Sequence, residues 1–292
     1  MVNSTGKPQL SIIVPVYNER EAVEAVLDSI RDAGISAPFE IVAVDDGSTD
    51  GSAEILERLA AEGRIRITRH EQNVGYGAAL KTGISAARAD MVMIIDGDGS
   101  YPVKHFDQFV ALAADHDMVV GARVTAILQE PKIRTVVKRF IIRMLKVLAD
   151  IDVPDLNSGL RLMRREQVMR YFHLLPDGIS FTSTITLILL SENRPVAFVP
   201  IDYFARTGAS KFKPLRDTLG ILLLILRTFL YFNPLKVFVP AAAGLAALSL
   251  LIGAGSALLG RFMDVTTVVV FLTAVQVLVL GLVADLIAKR RP

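Results

Sequence analysis

Cysteine does not occur anywhere in the 292 residues, which excludes a disulfide framework and a thiolate metal site and suits a reducing compartment. Histidine is nearly as scarce. His70, His105, His116 and His173 are scattered along the chain, a spacing that supports neither a zinc site nor a histidine general base. An excess of one charge is also missing, and a net charge of +2 is too small to point to nucleic acid as a partner. The first residues lack the basic, apolar and small-residue succession of a secretory signal. Charge itself disappears in two places: 237–260 and 265–284 contain no Asp, Glu, Lys or Arg.

These two runs account for a composition that is 52% hydrophobic, with a mean hydropathy of +0.45, more apolar than a purely soluble chain carries. Twenty helical residues at about 1.5 Å each cross a hydrocarbon core of roughly 30 Å, so the runs predict two transmembrane helices. Lys236 precedes the first, Lys289, Arg290 and Arg291 follow the second, and the turn between them holds only Arg261 and Asp264. The positive-inside rule then puts both ends of the hairpin, and the large domain before it, on the cytoplasmic side of a membrane. The expected organisation is a domain over 1–211, a connecting segment over 212–234 and a hairpin with a basic tail over 235–292. Gly244, Gly253, Gly255 and Gly260 would let membrane helices approach closely, within the hairpin or between copies in a homo-oligomer.

The first 211 residues alternate strand and helix. The apolar run 9–16 reads as a strand, 40–44 and 64–69 as two more, and 75–87 as a helix of small residues. Asn18 with Glu21 three residues on reads as a capping box opening a helix that Gly34 closes. The alternation predicts an α/β fold with a doubly wound, mostly parallel sheet. Two strands end in acid. The second is followed by Asp45, Asp46, Gly47, Ser48, Thr49 and Asp50, and the run 91–95 by Asp96, Gly97, Asp98, Gly99 and Ser100. Ligands of open α/β sheets bind at that edge. Asp96 and Asp98, two residues apart, address one object, and Gly97 and Gly99 leave room for its approach. Hard carboxylate oxygens there suit Mg²⁺ or Mn²⁺ held together with substrate phosphates. An Asx-type turn capping the next helix would also explain 45–50, a role compatible with the first.

SIIVPVYNE, VDDGSTDGS, NVGYGAALKTG and DGDGSYP, in this order, resemble the nucleotide-sugar-binding half of family 2 glycosyltransferases with the GT-A fold. The resemblance implies that Pro15, Tyr17, Glu19, Asp45, Asp46, Lys81, Asp96 and Gly97 bind the nucleotide, and that Asp96 and Asp98 hold the metal. Family members similar to dolichyl-phosphate mannose synthase usually read DADLQ in the last motif. Here Ser100 stands in place of the glutamine near the metal, so a shorter ligand is expected. Further on, Arg123, the segment DLNSGLRLMRR at 155–165 and RTGASK at 206–211 resemble acceptor motifs of polyprenyl-phosphate glycosyltransferases. By that resemblance Arg123, Arg134, Ser158, Arg161, Arg206, Ser210 and Lys211 bind the acceptor phosphate and donor diphosphate, with Arg123 and Arg206 beside Asp98 at the reaction centre.

Between Pro214 and Pro234, Arg216 and Arg227 lie eleven residues apart and share a helical face among leucines, isoleucines and phenylalanines. That pattern suits an amphipathic helix in the membrane interface, or a partly buried helix of the first domain. The expected reaction moves one sugar from a UDP- or GDP-sugar to a polyprenyl phosphate, undecaprenyl or dolichyl, at the cytoplasmic membrane face, with inversion. A processive polysaccharide synthase is the rival enzyme, but that class carries a QxxRW motif and this chain has no tryptophan. A membrane-tethered sugar-nucleotide sensor is the non-enzymatic rival, against which the intact DGDG and RTGASK speak.

Overall fold

The computed structural model describes residues 7–123, 153–204, 230–231, 233–258 and 265–289. Arg134 and the cation-rich stretch 132–146, Arg206, Ser210, Lys211, and Arg216 with Arg227 of the connecting segment lie outside the described residues.

Seven strands form one sheet: β1 (Leu10–Val16), β2 (Phe39–Asp45), β3 (Arg66–Arg69), β4 (Met91–Ile94), β5 (Met118–Arg123), β6 (Arg161–Arg164) and β7 (Val196–Ile201), in the order β3-β2-β1-β4-β6-β5-β7. The pairs β1–β2, β1–β4, β2–β3 and β5–β7 are parallel, and β6 lies antiparallel between β4 and β5. Only β6 therefore runs against the others. Among the described residues, the helices around the sheet are α1 (Val23–Arg31), α2 (Ser52–Ala61), α3 (Tyr76–Ala86), α4 (Phe106–Leu112), α5 (Arg165–Arg170) and α6 (Phe181–Ser191).

Strand alternation sorts the core into two layers. Ile12, Val14, Ala43, Met93 and Leu162 face one side with Leu27, Leu56, Phe106 and Phe109. Ile13, Val42, Ile94, Val120 and Met163 face the other with Leu80, Ile84, Val168, Phe181 and Ile188. A helix buried all round needs partners for its polar groups. In α6, where every residue is buried, Thr184 Oγ1 donates to the Ser180 carbonyl at 2.7 Å and Thr186 Oγ1 to that of Thr182 at 2.8 Å.

The capping box expected at Asn18 does not form. Asn18 takes a left-handed conformation (φ 55°), its side chain accepts the Thr49 amide at 2.8 Å, and α1 begins only at Val23. A side chain that holds the 45–50 loop cannot also cap a helix, and the local signal lost to a long-range bond.

Two helices complete the chain, α7 (Leu235–Leu258) and α8 (Val265–Lys289), each long and apolar enough to cross a membrane, with mean hydropathies of 2.1 and 2.5. They pack on each other. Gly281 lies against the Phe238 side chain, and Ser249 Oγ donates to the Thr267 carbonyl at 2.8 Å. Their outward leucines, valines and Phe271 are exposed, the distribution that lipid contact requires. Just before α7, Asn233 Nδ2 donates to the last carbonyl of α6, Ser191, at 3.0 Å.

Candidate active site

Because six strands share a direction, the carboxyl ends of β1, β2, β4, β5 and β7 meet the start of β6 at one edge. Chain order reverses beside β1, which has β2 on one flank and β4 on the other. Such a switch point opens the crevice in which α/β sheets bind ligands. Tyr17, Asp45, Asp96, Asp98, Arg123 and Tyr203 follow or end strands at this edge, and Arg161 opens β6 there.

The two acids after β2 are engaged differently. The Asp46 carboxylate accepts four donors: His70 Nδ1 at 2.7 Å, the Val74 amide at 3.0 Å, Asn73 Nδ2 at 3.0 Å and the Gly75 amide at 2.9 Å. Asp46 thus shapes the loop leading into α3. Asp45 is fully buried, accepts the Ser48 amide at 3.0 Å and pairs with Arg69 Nε at 3.2 Å. Pro15 lies inside β1, and its carbonyl faces Gly97. Glu19 follows β1, where its amide donates to Ser52 Oγ at 2.9 Å. Lys81 points to Asp177, 2.6 Å away.

In the turn after β4, Asp96 is half-buried and Asp98 buried. Tyr76 donates its hydroxyl to Asp96 Oδ1 at 2.7 Å, and burial together with the Asp96 charge pushes that phenol well above its ordinary range. The Asp98 Oδ1 atom accepts both the Ser100 amide at 3.0 Å and the Ser100 hydroxyl at 2.5 Å. Ser100, expected as a metal ligand, directs its hydroxyl to Asp98 and orients that carboxylate. Among the described residues no three His, Cys, Asp or Glu side chains gather to hold a metal. Two neighbouring carboxylates without a third protein ligand fit a hard divalent cation that takes its remaining oxygens from phosphate and water.

Across the edge, Arg123 at the end of β5 pairs with Asp155 through Nε at 2.6 Å and Nη2 at 2.9 Å. Burial alone would lower the guanidinium and raise the carboxyl. Their mutual bonds outweigh it, raising Arg123 and lowering Asp155. The Arg123 guanidinium lies 5.2 Å from the Tyr203 ring, which meets Tyr101 edge-on at 5.3 Å. Tyr101 accepts the Gly159 amide on its hydroxyl at 2.6 Å, and the Phe204 amide donates to the Ser100 carbonyl at 3.0 Å. These contacts tie Arg123 to the Asp98 turn.

Ser158 and Arg161, carried over as phosphate ligands, are completely buried. Arg161 donates to the carbonyls of Leu156, Ser158 and Thr182 and to Thr186 Oγ1, so it staples the 155–159 loop to α6. Sequence reading passed over Tyr76, Tyr101, Asp155 and Tyr203. Each sits inside or next to a motif already singled out, and the polar residues flanking those motifs were the available signal.

Two glycines separate chemistry from folding. A Cβ on Gly159 would run into the Asp96 carboxylate, the movable end of a side chain, whereas one on Gly77 would run into the Pro176 carbonyl, which is backbone. If Asp96 binds the nucleotide as the resemblance implies, Gly159→Ala is expected to fold but to displace Asp96, raising the KM for a nucleotide-sugar by about tenfold, the loss of one charged hydrogen bond. Gly77→Ala is expected to lower thermal stability, with the donor KM unchanged in the folded fraction. Circular dichroism melting and initial rates check both.

The model for "Glycosyl transferase family 2" matches residues 11–172, and the model "GtrB C-terminal hairpin" matches 233–289. Among curated proteins, the chain is 30% identical to the dolichyl-phosphate hexose transferase of Haloferax volcanii, over 70% of this chain and 87% of that one. It is 27% identical to the glycosyltransferase AglD of the same organism, over 76% of this chain but 37% of that protein. With the undecaprenyl-phosphate 4-deoxy-4-formamido-L-arabinose transferase of Yersinia enterocolitica it shares 31% identity over 59% of this chain and 54% of that protein. The match thus spans about a third to a half of the latter two proteins' length. Among solved structures, glucosyl-3-phosphoglycerate synthase from Mycobacterium tuberculosis is similar in fold, with a TM-score of 0.59 at 21% identity over 76% of this chain and 80% of that one. One structure of that enzyme holds Mn²⁺, UDP-glucose and phosphoglyceric acid.

Proposed function

Since this chain belongs to glycosyl transferase family 2, we propose that it moves a single sugar from a nucleotide-sugar donor to a polyprenyl phosphate at the cytoplasmic face of a membrane. The observation that carries this reading is the meeting, at one sheet edge, of the acidic Asp96–Asp98 turn with the clamped Arg123, in a chain that ends in an apolar hairpin. The names of the relatives support the acceptor class: they are dolichyl-phosphate and undecaprenyl-phosphate transferases. The division into a catalytic domain, an interfacial segment and a two-helix hairpin belongs to the same proposal.

A phosphate monoester is already anionic at neutral pH, its second pKa near about 6, so the acceptor needs no side chain to take its proton. The protein's task is to position it. Arg123 turns a guanidinium N–H toward the acceptor oxygen, holding it behind the anomeric carbon, while Tyr17, Glu19 and Asp45 bind the nucleoside at the neighbouring strand ends. Asp96 and Asp98 would hold Mg²⁺ or Mn²⁺, which when bound would supply positive charge to the departing diphosphate. One displacement from the face opposite the nucleotide inverts the anomeric centre. The hairpin keeps the enzyme where its acceptor is dissolved.

The test uses purified full-length protein in lipid, polyprenyl phosphate and a panel of labelled UDP- and GDP-sugars. Label is expected to enter the organic phase with one donor, as a monoglycosyl lipid of inverted configuration. EDTA is expected to stop the transfer, and Mg²⁺ or Mn²⁺ to restore it. Label that passes only to water, or into a growing polymer, would refute the reading.

A further inference from the structure

Arg123 carries its charge on a side chain with several rotatable bonds at an edge that also presents two carboxylates. Its place there is set first by one carboxylate. Asp155 takes Nε at 2.6 Å, Nη2 at 2.9 Å and the Arg123 amide at 3.2 Å. The same carboxylate accepts the Asn157 amide at 3.1 Å, and Asp155 is itself buried. Tyr203 covers the guanidinium face at 5.2 Å. A side-on pair of this kind occupies Nε and Nη2 and leaves Nη1 directed away from the carboxylate.

We propose that Asp155 is a positioning residue for the acceptor phosphate: it fixes the plane of Arg123 and presents Nη1 at one place. The inference rests on the reading of Arg123 as the acceptor's ligand. It assigns the pair a specific electrostatic property. Arg123 and Asp155 together are neutral, so the contact with phosphate is directional and adds little general attraction for anions. Net positive charge for the acceptor must then come from elsewhere. Without Asp155 the Arg123 guanidinium would meet phosphate in many orientations, of which few place an oxygen in line with the anomeric carbon.

The experiment measures initial rates for Asp155→Asn, Tyr203→Leu, Arg123→Lys and the double variant Asp155→Asn/Arg123→Lys, varying polyprenyl phosphate and donor separately, with donor hydrolysis by water as a third readout. Asparagine keeps the size of Asp155 but sets an N–H against Arg123. Asp155→Asn is expected to raise the acceptor KM by about tenfold, as one misdirected charge-assisted bond would, with donor KM and donor hydrolysis within about twofold. Tyr203→Leu, at a half-buried position, is expected to give the same pattern at smaller size, and carries the test if Asp155→Asn does not fold. The double variant is expected to be no worse than Arg123→Lys alone, because each change removes the same interaction. If Arg123→Lys raises the acceptor KM while Asp155→Asn and Tyr203→Leu do not, the positioning role is overturned and the acceptor reading stands. If Arg123→Lys leaves the acceptor KM unchanged, the acceptor reading of Arg123 falls and the inference with it. A parallel rise of donor and acceptor KM with a lowered melting temperature would reduce Asp155 to a structural residue.

Discussion

Asp98→Asn is expected to lower kcat by about 10²- to 10³-fold, the scale of losing a group that stabilises transition-state charge, in a protein that still folds. Both halves of that outcome follow from the same carboxylate. Its Oδ1 accepts two bonds from Ser100, and an asparagine carbonyl oxygen can accept both, so the turn keeps its shape. What the substitution removes is the negative charge beside Asp96, on which the proposed hold on a divalent cation depends. The expected signature is a lost response to added Mg²⁺ or Mn²⁺, a melting curve close to that of the parent, and acceptor binding unchanged in a direct lipid-binding assay. Ser100→Ala, which leaves the carboxylate but removes its hydroxyl donor, should cost less, about tenfold, as one hydrogen bond to a charged group does. Were Asp98→Asn to transfer sugar at the parent rate, the acidic turn would have no part in the reaction.

The acidic turn was legible because its signal is local: an apolar strand, then two carboxylates separated by glycine. The same holds for β1 and β2, whose buried runs are continuous, and for the two apolar helices. Strand β6 was not legible. Four residues with arginine at both ends look like a basic surface segment, and only the pairing with β4 and β5 makes them a strand. That reversal is also what brings the start of DLNSGLR to the edge where Asp96 sits, so the topology of the site depended on the element with the weakest pattern. Charge gave the opposite difficulty. An arginine's sequence context is the same whether it ends in solvent, on a phosphate or on buried carbonyls, and Arg123 and Arg161 came from similar motifs to different fates. Asn18 failed for the same reason as β6, since a partner about thirty residues away outweighed a good local cap.

Arg161 shows how far burial can alter a carried-over role. Enclosed on all sides, its guanidinium is pulled down to about 10 by desolvation and still charged at neutral pH. Its donors are taken by Ser158 at 2.6 and 3.1 Å, Thr182 at 2.8 Å, Thr186 at 2.9 Å and Leu156 at 3.4 Å. Three of these acceptors are backbone carbonyls, of which Thr182 also accepts Thr186 Oγ1, and Asn157 adds a bond to Ser183 of α6. Arg161→Met, which fills much of the volume without a donor, is therefore expected to destabilise the α/β domain by about 1–3 kcal/mol for each buried acceptor it leaves unsatisfied. Arg161→Lys should fall between parent and methionine, because an ammonium cannot reach both the 155–159 loop and α6 with a planar fork. A lowered melting temperature, earlier proteolysis of the 155–159 loop, and comparable losses in donor and acceptor affinity from the fraction that folds would follow. A phosphate ligand would behave otherwise: its loss would leave melting untouched and raise the acceptor KM alone. The two outcomes are separable on one purified variant, and the second would return Arg161 to the role its motif implied.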